Sequence, residues 1–432
     1  MSLKATLQNR VTKSLFSLKR REAKRRKFER ERQAKNQPHL VEYFHEVSDP
    51  YSHLLVQLLP DFVQRYDVQL RVHLAPPPPD WAAPDRARLD AYARQDAAQL
   101  ARRIGLSFSD PGAQPSAAML AEAQASLFTA IEAGTFLDVA YQIGAEVWAG
   151  SENSTVPTQL PETIAMSLQA AAERRDTLGH YLGGTLYYGG EWYWGPDRLH
   201  YLETRLQDLG AVAERHISAP LFVPPQVAHE QLHKSTEPRP ELHWYLSFRS
   251  PYTGIVRERV KALADAYGAD LKLSYVLPMV MRGMQVPRMK GFYIMSDTVR
   301  EADRLGVSFG NAYDPVGKPV ERGYAILHQA IRRGQGYAFA NSFLAGVWAD
   351  GLDAGSERGL KRITERAGLS WSEMKPWLGR DHWRDEAEAN QQEMFSYGIW
   401  GVPSFRVGEV VTWGQDRLWV IEDALKGVQE RV

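Results

Sequence analysis

Ser250 stands directly before Pro251, at the end of the aromatic-rich run Trp244-Tyr245-Leu246-Ser247-Phe248. Serine then proline is a favoured way to begin a helix, with Ser as cap and Pro in the first turn. The same placement can do chemistry. A hydroxyl at a helix N-terminus can donate a hydrogen bond to an anion, and the helix dipole favours negative charge there. A thiol held against it would ionise more readily than a free thiol of pKa about 8.5. From these residues alone, cap and thiol site both stand. Asp416 offers a similar choice, since an Asp at a helix start accepts from backbone N–H groups or holds an ammonium group. Arg417 beside it reads as solvated, and Lys290 reads either as a surface lysine or as an anchor for a carboxylate. Asp49, before Pro50, sets an acid where Ser250 sets a hydroxyl, and with His45 it could do acid/base work. A carboxylate beside a thiolate would raise the thiol's pKa.

Composition narrows the chemistry. The 432 residues contain no cysteine, which excludes disulfides, CxxC redox centres, Fe–S clusters, thiolate zinc sites and a cysteine nucleophile. The twelve histidines show no HExxH or other metal spacing, so no metal is expected. Neither a P-loop nor a GxGxxG between strand and helix occurs. Lys and Arg balance Asp and Glu at 52 each, which gives no global case for a nucleic-acid or membrane partner. No apolar run reaches about 18 residues, and a cytoplasmic address is the default. The balance hides an asymmetry. Residues 1–37 hold 13 Lys and Arg against 3 acids, net +10, and the other 395 hold 39 against 49, net −10. The basic segment reads as a flexible, partly helical arm. Sharper readings are weak contact with anionic lipid or nucleic acid, or an organellar presequence.

The elements that must position these residues occur twice. Leu40 to Pro50-Tyr51-Ser52 and Leu242 to Pro251-Tyr252-Thr253 are both aromatic strands running into a Pro-Tyr turn. Amphipathic helices follow, about 53–66 and 254–267, and then second strands from Val68 to Leu74 and Leu271 to Leu277. Asp96 to Phe108 parallels Asp297 to Phe309, Trp148 parallels Trp348, and Trp194-Gly195-Pro196-Asp197-Arg198 parallels Trp413-Gly414-Gln415-Asp416-Arg417. Pro50 and Pro251 stand 201 apart, Trp148 and Trp348 200, and Trp194 and Trp413 219. The first copy therefore lacks about 19 residues between its tryptophans, enough for one helix and its loop. The sequence divides into a basic arm (1–37), a first copy (38–212), a Pro-rich, extended and exposed linker (213–239) and a second copy (240–432). The aromatic run Tyr187, Tyr188, Trp192, Tyr193, Trp194 reads as a hairpin packed on helices.

Each copy runs strand, helix, strand, a helical block, a strand pair and a final helix, an α/β order. The second copy resembles the DsbA-like thioredoxin-fold family, in the branch of 2-hydroxychromene-2-carboxylate isomerases and kappa-class glutathione transferases. The resemblance rests on Phe248-Arg249-Ser250-Pro251-Tyr252, Pro287-Arg288-Met289-Lys290-Gly291-Phe292-Tyr293, Tyr397-Gly398-Ile399-Trp400-Gly401-Val402-Pro403-Ser404-Phe405, and Trp413-Gly414-Gln415-Asp416-Arg417-Leu418. It implies two thioredoxin-like domains, each with an α-helical insertion. It also implies glutathione as cofactor, with Ser250 in place of the first redox cysteine and its hydroxyl on the glutathione thiol. Val402 and cis-Pro403 would pair with the glutathione backbone. Gln415, Asp416 and Arg417 would hold the γ-glutamyl end, Lys290 would attract a carboxylate, and Tyr252 and Trp413 would line the substrate pocket.

Departures are visible. Arg282-Gly283-Met284-Gln285-Val286 lacks the Asn that family members often carry, and Thr253-Gly254 replaces the usual Ser and larger residue. The first copy has Asp49 for Ser250 and Gly184 for Pro403, and Pro76 to Pro79 fill the loop corresponding to the Lys290 segment, so it reads as degenerate. The resemblance implies a glutathione-dependent isomerase of a small conjugated or aromatic substrate. Alternatives are a kappa-type transferase, or a binding or scaffold protein without disulfide chemistry. Nucleic acid is an unlikely partner on this reading, and the oligomeric state is left open.

Overall fold

The computed structural model describes residues 13–150, 160–213, 219–227 and 239–429. Its contacts divide the chain into two compact units, one over 22–224 and one over 225–432 with the described residues 13–21.

In the first unit, helix α1 (Leu18–Ala34) precedes strand β1 (Leu40–His45), helix α2 (Pro50–Arg65) and strand β2 (Gln69–Leu74). Four helices follow: α3 (Arg86–Ile104), α4 (Ala117–Glu132), α5 (Phe136–Ala149) and α6 (Glu162–Thr177). The hairpin β3 (Thr185–Tyr188) and β4 (Glu191–Trp194) and helix α7 (Pro196–Asp208) complete it. The sheet order is β2-β1-β3-β4. Strand β1 lies parallel to β2, with Leu40 beside Gln69, and antiparallel to β3, with Phe44 beside Thr185. The β3–β4 turn is Gly189-Gly190, both at positive φ, which a tight two-residue hairpin requires. Val41 and Tyr43 of β1 meet Leu55, Leu59 and Phe62 of α2 and Leu199 and Leu202 of α7 in the core.

The second unit repeats this plan with β5 (Glu241–Leu246), α8 (Pro251–Ala266), β6 (Asp270–Tyr275), α9 (Arg288–Leu305), α10 (Lys318–Arg332) and α11 (Gly336–Trp348). Then come α12 (Glu357–Arg366), the short α13 (Trp371–Met374), α14 (Arg384–Ser396), the hairpin β7 (Ser404–Val407) and β8 (Val410–Trp413), and α15 (Leu418–Gln429). The sheet order is β6-β5-β7-β8. Among the described residues, α12 and α13 have no counterpart in the first unit, and they supply the extra length that the tryptophan spacing requires. Trp244 and Leu246 of β5, Val256 and Val260 of α8 and Ile421 of α15 are fully buried. Phe248 stacks on Phe343 at 4.0 Å.

Three expectations change. Helices α2 and α8 begin at Pro50 and Pro251, about a turn earlier than the apolar period suggests, because proline has no N–H to lose in a first turn. The segment expected as a flexible arm holds α1, whose Arg25 pairs with both oxygens of Glu191 (2.6 and 2.8 Å) and whose Phe28 packs edge-on against Tyr188. The described part of the linker is not wholly exposed. The Leu221 amide donates to Glu203 at 3.0 Å, and Val227 is buried. Residues 228–238 and 1–12 lie outside the described residues. Among the described residues no helix is long and apolar enough to cross a membrane.

Candidate functional site

Strand β5 ends at Leu246, and the chain turns through Ser247, Phe248 and Arg249 to Ser250, the N-cap of α8. Ser250 has extended backbone angles, and its Oγ accepts from the Thr253 amide at 3.2 Å. The same hydroxyl donates to the carbonyl oxygen of Val402 at 3.2 Å. The Val402–Pro403 bond is cis. One side chain thus caps α8 and touches the loop of cis-Pro403.

The loop before Pro403 is held by close packing. A Cβ on Gly401 would lie 2.3 Å from the Trp413 ring, so glycine is needed for Trp413 to lie against the loop backbone. Trp413 also tilts against Trp400 at 5.2 Å. The Ser404 hydroxyl donates to Gly401 O at 2.7 Å, and the Gly414 amide donates to Pro403 O at 3.0 Å. Trp413 therefore supports the loop from behind.

The other expected site residues divide. Gln415 is buried, and its amide is used at both ends: Arg259 donates to its oxygen, and its nitrogen donates to Glu301 at 2.7 Å. Its side chain thus closes a buried polar network, which corrects the expectation that it reaches a ligand. Tyr252 donates to Asp297 at 2.8 Å, and Asp297 pairs with Arg300 at 2.6 Å. Tyr51 does the same to Asp96 at 2.7 Å in the first unit, which lacks both the serine and the cis-proline. The bond, shared by both units, ties α8 to α9. Asp416 lies over Gly414, where a Cβ would meet its Oδ1 at 2.7 Å, with Arg417 Nη1 3.7 Å away. Lys290, in the first turn of α9, is buried, and loss of hydration pushes its ammonium pKa down to about 8. It still carries its charge at neutral pH.

One residue was visible in the sequence only as a departure. Arg282 ends a short 3-10 turn, Met279–Arg282, and its Nη2 donates to Trp400 O at 3.4 Å, on the same loop that holds Pro403. Its place within the apolar stretch Met279-Val280-Met281 is the one signal that could have marked it. Gly254 finds its reason here too. A Cβ there would lie 2.8 Å from Trp348, whose indole donates to Phe248 O at 3.0 Å.

The first unit fills the equivalent position with itself. Asp49 caps α2, accepting from the amides of Tyr51 (3.2 Å) and Ser52 (2.9 Å) and from the Ser52 hydroxyl (2.8 Å). Gly184, at φ 59°, stands where Pro403 does, and a Cβ on it would lie 2.5 Å from Asp49 Oδ2. A Cβ on Gly183 would lie 2.3 Å from Glu46 Cβ. Burial pushes both Glu46 and Asp49 above the usual carboxylate range, and each is further raised by a neighbouring acid. His45 is buried against the Tyr43 hydroxyl (2.9 Å), and burial drives its pKa down to about 3.

Residues 241–426 match the family described as DSBA-like thioredoxin domain. The 2-hydroxychromene-2-carboxylate isomerase of Pseudomonas sp. (strain C18) is 22% identical over 193 residues, covering 43% of this chain and 89% of that one. The enzyme of the same name from Pseudomonas putida is 21% identical over 190 residues, covering 42% and 92%. Among solved structures, a 2-hydroxychromene-2-carboxylate isomerase has 21% identity and a TM-score of 0.39, covering 44% of this chain and 96% of its own. The cytosolic disulfide reductase DsbM of Pseudomonas aeruginosa has 17% identity and a TM-score of 0.34, covering 44% and 97%.

Proposed function

With residues 241–426 a DsbA-like thioredoxin domain, we propose that the second unit is a glutathione-dependent isomerase acting on a small conjugated or aromatic carboxylate. The observation that carries this reading is the Ser250 hydroxyl, at the N-terminus of α8 and on the carbonyl that precedes cis-Pro403. Support also comes from the two relatives named as isomerases. The chain has no cysteine, so a thiol must come from a ligand.

The donor set fits glutathione. The tripeptide carries one ammonium and two carboxylates around a thiol. Asp416 supplies a carboxylate for the ammonium, and Lys290, in the first turn of α9, supplies an ammonium for a carboxylate. When bound, glutathione supplies a thiolate that adds reversibly to a conjugated double bond, so that rotation about the resulting single bond and elimination return the other isomer. The Ser250 hydroxyl would donate to the thiol sulfur and, together with the α8 dipole, would lower the thiol's pKa. Val402 offers backbone to the peptide, and Trp413 keeps that backbone in place. The first unit, its turn closed over Glu46 and Asp49, acts as a structural partner without a thiol site.

Calorimetric titration tests the reading. The full chain should bind glutathione, and Ser250→Ala or Asp416→Ala should weaken binding with the fold intact. A full chain that binds no glutathione sinks it.

A further inference from the structure

Arg282 is a half-buried cation with no ion-pair partner among the described residues. Its Nη2 reaches Trp400 O at 3.4 Å, and the guanidinium stands 5.8 Å from the Phe395 ring. Its Nε and Nη1 are buried, with no hydrogen-bond acceptor among the described residues. Burial pushes its pKa down to about 10, and the group that opposes this is the Tyr324 hydroxyl, not a carboxylate. Trp400, which Arg282 touches, is 3% exposed, and its indole Nε1 also lacks an acceptor. A buried N–H left unpaired is costly, and an unpaired charge costs more.

These donors are close to the proposed chemistry. Ser250 binds the carbonyl of Val402, and Arg282 binds that of Trp400, two residues earlier on one loop. Two residues span at most about 7 Å. With the two hydrogen bonds included, Arg282 Nη2 and the Ser250 hydroxyl lie within about 14 Å of each other. The groups around it are aromatic: Phe395, Trp400 and, behind the loop, Trp413. A guanidinium with unpaired N–H groups, held on the residue that also carries an unpaired indole N–H, matches a carboxylate carried on a flat ring.

We infer that Arg282, with the Trp400 indole, binds the carboxylate of the substrate and makes the site selective for anionic over neutral conjugated molecules. This rests on the isomerase reading, and the residue acts on specificity, leaving the thiol to Ser250.

The test uses the full chain and two probes, trans-cinnamate and methyl cinnamate, each titrated with and without saturating glutathione. The wild type should prefer the carboxylate by about tenfold or more, the worth of one charge-assisted hydrogen bond. Arg282→Met should bind the two probes alike and bind glutathione as before. Arg282→Lys should restore part of the preference. The ligand-free Arg282→Met protein should melt no lower than the wild type, since it loses an uncompensated charge. A carboxylate preference that survives in Arg282→Met overturns the inference, as does a wild type without the preference. If Arg282→Met fails to fold, Arg282→Gln takes its place, with the same two outcomes. Loss of glutathione binding in the wild type would instead count against the isomerase reading, because the cinnamate arm run without glutathione still reports on Arg282.

Discussion

The hydroxyl of Ser250 donates to the carbonyl oxygen of Val402 at 3.2 Å while it accepts from the Thr253 amide, so one side chain joins the start of α8 to the loop of cis-Pro403. Its two roles can be separated. Ser250→Ala loses the cap and should cost about 1 kcal/mol, whereas glycine, a tolerable cap, should cost a few tenths. Both remove the donor. Thiolate absorbance of bound glutathione should then titrate at higher pH in both variants, although their melting temperatures differ. A thiol pKa that follows stability instead would assign Ser250 to capping alone.

Gln415 and Asp416 are neighbours with opposite expectations. Gln415→Ala takes the buried amide away from Arg259 and from Glu301, which keeps Arg304, and should destabilise the second unit by about 1–3 kcal/mol in denaturant melts. Asp416→Asn should leave stability nearly unchanged and weaken glutathione. Reversed effects in melts and titrations would contradict the assignment.

The Tyr–Asp pairs should be structural in both units. Tyr252→Phe and Tyr51→Phe each remove a hydrogen bond to a buried carboxylate, Asp297 or Asp96, and each should cost about 1–3 kcal/mol. Glutathione affinity should not move in either. A large loss of affinity in Tyr252→Phe alone would return its hydroxyl to the site.

Glu46 should make the first unit sensitive to alkali. Its folded pKa lies above its unfolded one, raised by burial and by Asp49 and Asp90 against the partial relief of Ser48 and Arg175. The folded state holds this proton more tightly than the unfolded chain. The stability it brings is full at low pH and is lost as pH rises from the ordinary carboxylate range through the raised value. Glu46→Gln should remove that slope. The melting temperature of the variant, less that of the wild type, should grow by several degrees between pH 5 and pH 9. A constant difference would show that Glu46 titrates normally.

Strand, helix and repeat were legible because period and spacing report them directly. Trp244, Leu246, Val256 and Val260 alternate or recur as buried faces must, and the offsets located the extra helices of the second copy. What spacing could not give was the direction of single side chains. Gln415 sits between site-like neighbours yet turns inward to Arg259. Lys290 looks like a surface lysine and is buried. The departure at Gly254 reflects a trade across two helices. Trp348 fills the space beside Gly254, while in the first unit His53 holds that position and Gly144 gives way, a Cβ there lying 2.4 Å from His53 Nδ1. Such compensation needs both partners in view. The arm's charge likewise hid the packing of α1, because its anchors, Glu191 and Tyr188, lie far away in sequence.

The most direct test is the rate of isomerisation of 2-hydroxychromene-2-carboxylate by the full chain, followed by absorbance as glutathione is varied. The account predicts a rate that saturates with glutathione and falls about a hundredfold in Ser250→Ala, the usual cost of removing one donor to a developing anion. A rate indifferent to glutathione, or undiminished in Ser250→Ala, would contradict it.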